Sequence, residues 1–310
     1  MRNSFINKLT EIAANNENIW LLTGDLGYSV LDKFGELFPS RYINAGVAEQ
    51  NMTGMAAGLA LEGAKAFTYS IANFPTFRCL EQIRNDVCYH DLDVKIISVG
   101  AGLSYGTHGY SHYGIEDIAI MRPLPNLTVL CPADPHEAVR CAQLAVDHSG
   151  PMYVRLGKNG EPHLHASPCS FNIGDPLAVI PTEDAAVIST GAISYAGFEA
   201  VQSLRNSGRQ VGLITLPTLR PLNSNKLLEI LGGCRRIFTL EEHVKAGGLF
   251  SILSELNQEE DLGLKISPFC LPEKFTVLGN QSFLLKAVGL DAQSIYTAIS
   301  EQLERDCQAK

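Results

Sequence analysis

The sequence contains no apolar run of the length a bilayer-spanning helix needs. Its opening, MRNSFINKLTEIAANNENIW, holds no apolar h-region and no small-residue cleavage site, so no signal peptide is expected. Charge is sparse: Asp, Glu, Lys and Arg make up 18% of the chain, and the formal net charge of -9 argues against a broad nucleic-acid or anionic-membrane surface. The eight cysteines show no metal-ligand spacing. Cys79 and Cys88 fall in a helix-like segment and Cys131 and Cys141 in separate predicted elements, so reduced, buried thiols in a cytoplasm are the simplest expectation. Short catalytic signatures are missing too: there is no HExxH, GxxxxGK[ST] or GxGxxG.

What is present is a 310-residue chain, 45% apolar, long enough for two ordinary domains with full cores. Short apolar runs alternate with helical patterns over its first half. A surface helix from Ser4 to Asn15 precedes the strand IWLLTGD, and Tyr42-Ile43-Asn44 leads into the helix AEQNMTGMAAGLALEG, with Met52, Met55 and Leu59 at helical spacing. KAFTYS, VKIISVG, LTVLC and MYVRL read as further strands, and FPTFRCLEQIRNDVCYH and PHEAVRCAQLAVDH as helices. This order predicts an α/β fold whose parallel sheet carries helices on both faces, with ligands beyond the carboxyl ends of the strands. Residues 161–182, rich in Gly, Pro, His and Ser, read as a linker between a domain at 1–160 and a smaller α/β domain at 183–310. A helical tail from Gln281 to Arg305 breaks near Gly289.

Four features point into one cleft. Glu49 falls in the first turn of its helix; a carboxylate there has a plain explanation in the positive end of the helix dipole. Phe74 and Phe77, beside Pro75 at a strand-to-helix turn, offer a flat face for a heteroaromatic ring, or are core residues. The loop from Gly100 to Gly114 is rich in glycine and carries His108 and His112; a long loop inside a compact domain is usually functional. Arg155 ends a predicted strand and is a candidate clamp for an anionic substrate group. Glu241-Glu242-His243 reads as a solvated acidic turn rather than a partner contact.

Together GVAEQNMTGMAAGLAL, FPTF, the loop through SHYGIEDIA, LTVLCPAD, LEEHVKAGGL and GLDAQSI resemble the C-terminal half of transketolase, and the matching parts of 1-deoxyxylulose-5-phosphate synthase and of 2-oxoacid dehydrogenase E1 β subunits. The resemblance covers nearly the whole chain. It implies a pyrimidine-binding domain followed by a transketolase C-terminal domain, with thiamine diphosphate as cofactor. In this family the carboxylate matching Glu49 hydrogen-bonds N1′ of the aminopyrimidine and favours the imino tautomer, whose exocyclic nitrogen takes the thiazolium C2 proton. The resemblance assigns Phe74 and Phe77 to packing on the aminopyrimidine, His112 to a catalytic, donor-contacting role in the substrate channel, and Arg155 to a phosphate. His108 stands where transketolases carry an Asp that reads a donor hydroxyl, which puts ordinary ketose-phosphate specificity in doubt.

The family's GDG motif, with its downstream Asn, holds Mg²⁺ and the diphosphate. TGDLG at Thr23 is not that motif and no other candidate exists. The resemblance therefore implies one subunit of a split enzyme that transfers a two-carbon ketol or related acyl-anion unit between sugar-type substrates. A separate α subunit, in an α2β2 assembly, would supply the metal and diphosphate site. The alternatives are an E1 β subunit and a non-catalytic regulatory or assembly subunit.

Overall fold

The structure, a computed structural model, describes residues 1–275 and 277–308. Twelve strands follow in order: β1 (Ile19–Thr23), β2 (Tyr42–Asn44), β3 (Lys65–Ile71), β4 (Val94–Val99), β5 (Thr128–Leu130), β6 (Met152–Leu156), β7 (Leu177–Ile180), β8 (Ala185–Ser189), β9 (Val211–Thr215), β10 (Thr218–Arg220), β11 (Arg236–Val244) and β12 (Lys265–Leu271). They build two sheets, ordered β10-β5-β6-β4-β3-β1-β2 and β12-β11-β8-β9-β7. Both are parallel except at one edge each, where β10 runs antiparallel to β5 and β7 antiparallel to β9.

The apolar runs become central strands because they are buried on both faces: every residue of β4, β6, β8 and β9 is buried. Helices supply the covering layers. In Arg2–Ala13, Phe5, Leu9 and Ala13 recur every four residues and share a core with Ala138 and Ala142 of Pro135–Asp147. The second of these helices starts sharply, with Asp134 accepting from the Glu137 amide at 2.8 Å and Pro135 in the first turn. Lys95 is buried within β4, where Asp93 at 2.6 Å and the carbonyls of His148 and Gly150 satisfy its ammonium. No helix among the described residues is long and apolar enough to cross a membrane.

Several expectations need correction. The expected linker at 161–182 contains β7, which pairs with β9. Residues Thr218–Arg220, in the second half of the chain, extend the first sheet rather than the second. The segment after Phe74 is not one regular α-helix: Phe74–Arg78 and Ile83–Cys88 are π-helical turns around one short α-helical turn. The core face of Glu49–Leu61 is built from Met52, Thr53, Ala56 and Ala57, while Met55 and Leu59 are only partly covered. Glu241, Glu242 and His243 are not a solvated turn but buried residues near the end of β11.

Candidate active site

Four chain segments leave the first sheet at the carboxyl ends of their strands, the edge where open α/β sheets bind ligands. β1 exits through Gly24, β2 into the Glu49 helix, β3 into the Phe74 turn and β4 into the glycine-histidine loop. Asn44 ties the first two exits together. Its Oδ1 accepts from the amides of Asp25 and Gly46, both at 3.0 Å, and its Nδ2 donates to Asp25. Gly46, at φ +72°, makes the turn that brings the chain into the helix.

Glu49 is the first residue of that helix, and its side chain is 3% exposed. Ala48 before it offers no capping side chain. The Arg78 guanidinium donates to Glu49 Oε2 at 3.1 Å, whereas Oε1 is buried with no hydrogen-bond partner. The same guanidinium lies over the Phe74 ring, 4.4 Å from its centroid. On from Phe74 the rings of His112 (5.3 Å between centroids) and His108 (a further 5.0 Å) follow. Tyr105 sits 5.6 Å from His108 and 6.0 Å from His112, and the Lys158 ammonium lies 4.5 Å over its ring. One continuous train of contacts therefore runs from the buried carboxylate to a cation just past β6.

The loop that carries the histidines is held at both ends. Gly102 and Gly114 bridge through their backbones at 2.8 and 3.3 Å, and Asn73 reaches across from the β3 exit to the Ser111 carbonyl at 2.6 Å. Ser111 Oγ sits 3.0 Å from His112 Nδ1. The second domain buttresses the loop: Glu242 Oε2 accepts from the Leu103 amide at 2.9 Å, and Gln281 donates to the same carboxylate. A side chain at Gly102 would drive a Cβ to 2.3 Å from that oxygen, so the close approach requires glycine. His112 is half-buried; burial first, and then the positive charges of His108 and Arg78, hold its pKa below the ordinary value.

Of the sequence-selected residues, the structure brings Glu49, Phe74, His112 and His108 together. It does not bring Phe77 or Arg155 to them. Phe77 is 44% exposed and lines a separate surface cavity of 230 Å³ with Asn73, Tyr110 and Glu116. The intervening π-helical turn gives 74 and 77 different directions. Arg155 is 3% exposed and fully engaged: Nε donates to Asp117 at 2.7 Å, and Nη2 to the carbonyls of Gly114 at 2.8 Å and Glu242 at 2.9 Å. The expected anion clamp is therefore a buried brace between the histidine loop and β11, because Asp117, 38 positions away, neutralises it. Sequence reading missed Arg78 and Lys158 and placed Glu242 in a solvated turn. A cation just past β6, as Lys158 is, was the signal available for one of them.

Residues 1–161 match the family model for the transketolase pyrimidine binding domain, and residues 177–295 that for the transketolase C-terminal domain. The chain belongs to the transketolase family. It is 31% identical over 296 residues to one subunit of the apulose-4-phosphate transketolase of Phocaeicola vulgatus, covering 95% of this chain and 94% of that protein. It is 32% identical over 299 residues to 1-deoxy-D-xylulose-5-phosphate synthase of Caldanaerobacter subterraneus subsp. tengcongensis, covering 95% of this chain but 47% of that longer protein. Among solved structures it superposes on a split gene transketolase, an inactive beta4 tetramer, with a TM-score of 0.86 and 31% identity over 97% of this chain and 96% of that one.

Proposed function

We propose that this chain is the pyrimidine-binding subunit of a two-subunit, thiamine diphosphate-dependent transferase of transketolase type, which moves a two-carbon ketol unit between sugar-type substrates. The observation that carries the reading is Glu49: a buried carboxylate, linked through Arg78 to the Phe74 ring, with one oxygen lacking any partner. A buried acceptor left unpaired is costly, and a ring nitrogen that presents an N–H would satisfy it. The free acceptor therefore fits the ring N–H of an aminopyrimidine in its protonated or imino form. When bound, thiamine diphosphate supplies the electron sink for carbon–carbon bond cleavage and formation.

The residues of this chain have separable tasks. Glu49 holds and returns the proton at the ring nitrogen. Phe74 covers the ring. His112, whose pKa is held down by burial first, exchanges a hydrogen bond with a substrate oxygen. His108 selects among donors by the hydroxyl it meets. Lys158, not Arg155, attracts an anionic substrate end, since its ammonium lies over Tyr105, the ring next to the histidine pair, while the Arg155 guanidinium is already neutralised.

The diphosphate and Mg²⁺ are expected on a separate α subunit in an α2β2 assembly. The inactivity of the split gene relative as a beta4 tetramer supports the same division of labour. Eight unpaired thiols suit a reducing cytoplasm. The test is a titration of thiamine diphosphate and Mg²⁺ into the purified chain with and without a diphosphate-binding partner. The chain alone should bind weakly and stay inactive, and the complex should turn over a ketose donor. Strong Mg²⁺-dependent turnover by the chain alone would overturn the proposal.

A further inference from the structure

Glu49 is closed to solvent by another side chain of the same chain. Arg78, with its side chain 51% exposed, makes the 3.1 Å ion pair to the nearly buried carboxylate and also lies over the Phe74 ring, 4.4 Å from its centroid. Those are the two contacts the proposed reading gives to an aminopyrimidine: a hydrogen bond from a planar N–H group to Glu49 and a stack against Phe74. A guanidinium is planar, carries N–H donors along its edge and packs well on aromatic faces. We infer that Arg78 is a latch that occupies the pyrimidine position from within, and that cofactor entry requires the guanidinium to swing out and release both contacts. The inference rests on the pyrimidine-site reading of Glu49 and adds to it a residue that sets cofactor affinity.

The local geometry permits the movement. Arg78 is the last residue of the π-helical turn Phe74–Arg78, and its guanidinium bonds no acceptor other than Glu49 among the described residues. Only one of the two carboxylate oxygens is taken, so the latched state leaves Oε1 unpaired in the interior. That is an incomplete solution, which a ligand presenting a better-matched donor edge can displace. The energetic consequence is conformational selection. If the open state is a minor one, apparent affinity falls by the fraction of molecules that are open, and removing the latch restores it. The ion pair is charge-assisted, so the closed state is favoured without being permanent.

The experiment is calorimetric titration of the full chain with hydroxymethylpyrimidine, the uncharged aminopyrimidine half of thiamine. An uncharged probe removes any long-range effect of deleting a cation. R78A and R78Q should each bind it at least about tenfold more tightly than wild type, and Glu49→Gln in the R78A background should abolish the gain. R78Q keeps most of the side-chain length, and circular dichroism of both variants verifies that they fold. Equal, weaker or undetectable binding by the folded Arg78 variants overturns the latch. A gain that survives Glu49→Gln overturns instead the pyrimidine-site reading of Glu49 on which the latch depends.

Discussion

Arg155 Nε donates to Asp117 Oδ2 at 2.7 Å, and Tyr153 shares the same oxygen at 2.6 Å, so one carboxylate neutralises a buried guanidinium underneath the histidine loop. The pair links β6 to the helix Asp117–Met121, and through the carbonyls of Gly114 and Glu242 it links the loop to the second domain. Removing one member of a buried pair strands the other charge. Arg155→Met should therefore destabilise the fold by about 3–5 kcal/mol, and a combined Arg155→Met, Asp117→Leu variant should cost less than Arg155→Met alone. Urea unfolding of the three proteins measures this. A normal unfolding midpoint for Arg155→Met, with only a raised KM for a phosphorylated donor, would restore the anion-clamp assignment.

Lys158 is the counterpart on the substrate side. Its ammonium lies over Tyr105, beside the two histidines, and among the described residues it makes no ion pair that an anionic group would first have to break. Lys158→Ala should raise KM for a phosphorylated donor by roughly tenfold or more while leaving kcat within about twofold, the pattern of a lost contact made equally in ground and transition states. Steady-state kinetics of the reconstituted enzyme provide the check, and an unchanged KM would remove Lys158 from the site.

His108 bears on donor choice. It is exposed, with Nδ1 3.1 Å from the Tyr105 carbonyl, and its ring faces His112. A carboxylate in its place accepts at two oxygens and carries charge, so His108→Asp should alter relative kcat/KM between donors differing in one hydroxyl. Competition between two such donors reads the ratio directly. An unchanged ratio would leave His108 a solvated loop residue.

The end of β11 carries a pH dependence of its own. Burial holds the His243 pKa down to about 4, against the opposing charge of Asp117; its Nε2 accepts from the Ala119 amide at 3.3 Å. The unfolded chain therefore takes up a proton first. The stability His243 supports is fully present above pH 6.5 and is lost as pH falls through 6.5 toward 4, roughly 3 kcal/mol in all. Glu241 works in the opposite sense. Burial raises its pKa to about 7, although the amides of Leu249 and Phe250 favour its anion, so its cost at neutral pH is relieved on acidification to about 4.5. The difference between wild type and His243→Gln isolates the first effect. That difference in unfolding free energy should shrink steadily from pH 7 to pH 4, and a difference independent of pH would contradict it.

Where the sequence was legible, one local rule sufficed. The helix Pro135–Asp147 carries its own cap, proline and apolar face, and β4 is an apolar run between breakers. The errors arose where meaning depends on a distant partner. Glu241, Glu242 and His243 look like a surface turn until helix Leu249–Glu259 brings two amides to Glu241 and the histidine loop brings the Leu103 amide to Glu242. Arg155 reads as a clamp until Asp117 is seen beside it. The three residues of β10 have no periodicity to detect, and π-helical winding, which separates Phe74 from Phe77, leaves no mark in spacing. Glu49, Phe74 and His112 lie on segments that follow strands of the first sheet, and the structure brings them together, while Arg78 gained meaning only from its contact with Glu49.

The central claim is that Glu49 exchanges a proton with the ring of the bound cofactor. The direct measurement is hydrogen–deuterium exchange at C2 of thiamine diphosphate in the enzyme reconstituted with its diphosphate-binding subunit, wild type against Glu49→Gln. Gln preserves the size of the side chain and the start of the helix but cannot take the proton, so the exchange rate should fall by roughly a hundredfold to ten-thousandfold while assembly and circular dichroism stay as in wild type. Exchange at the wild-type rate in a folded, assembled Glu49→Gln enzyme would contradict the account.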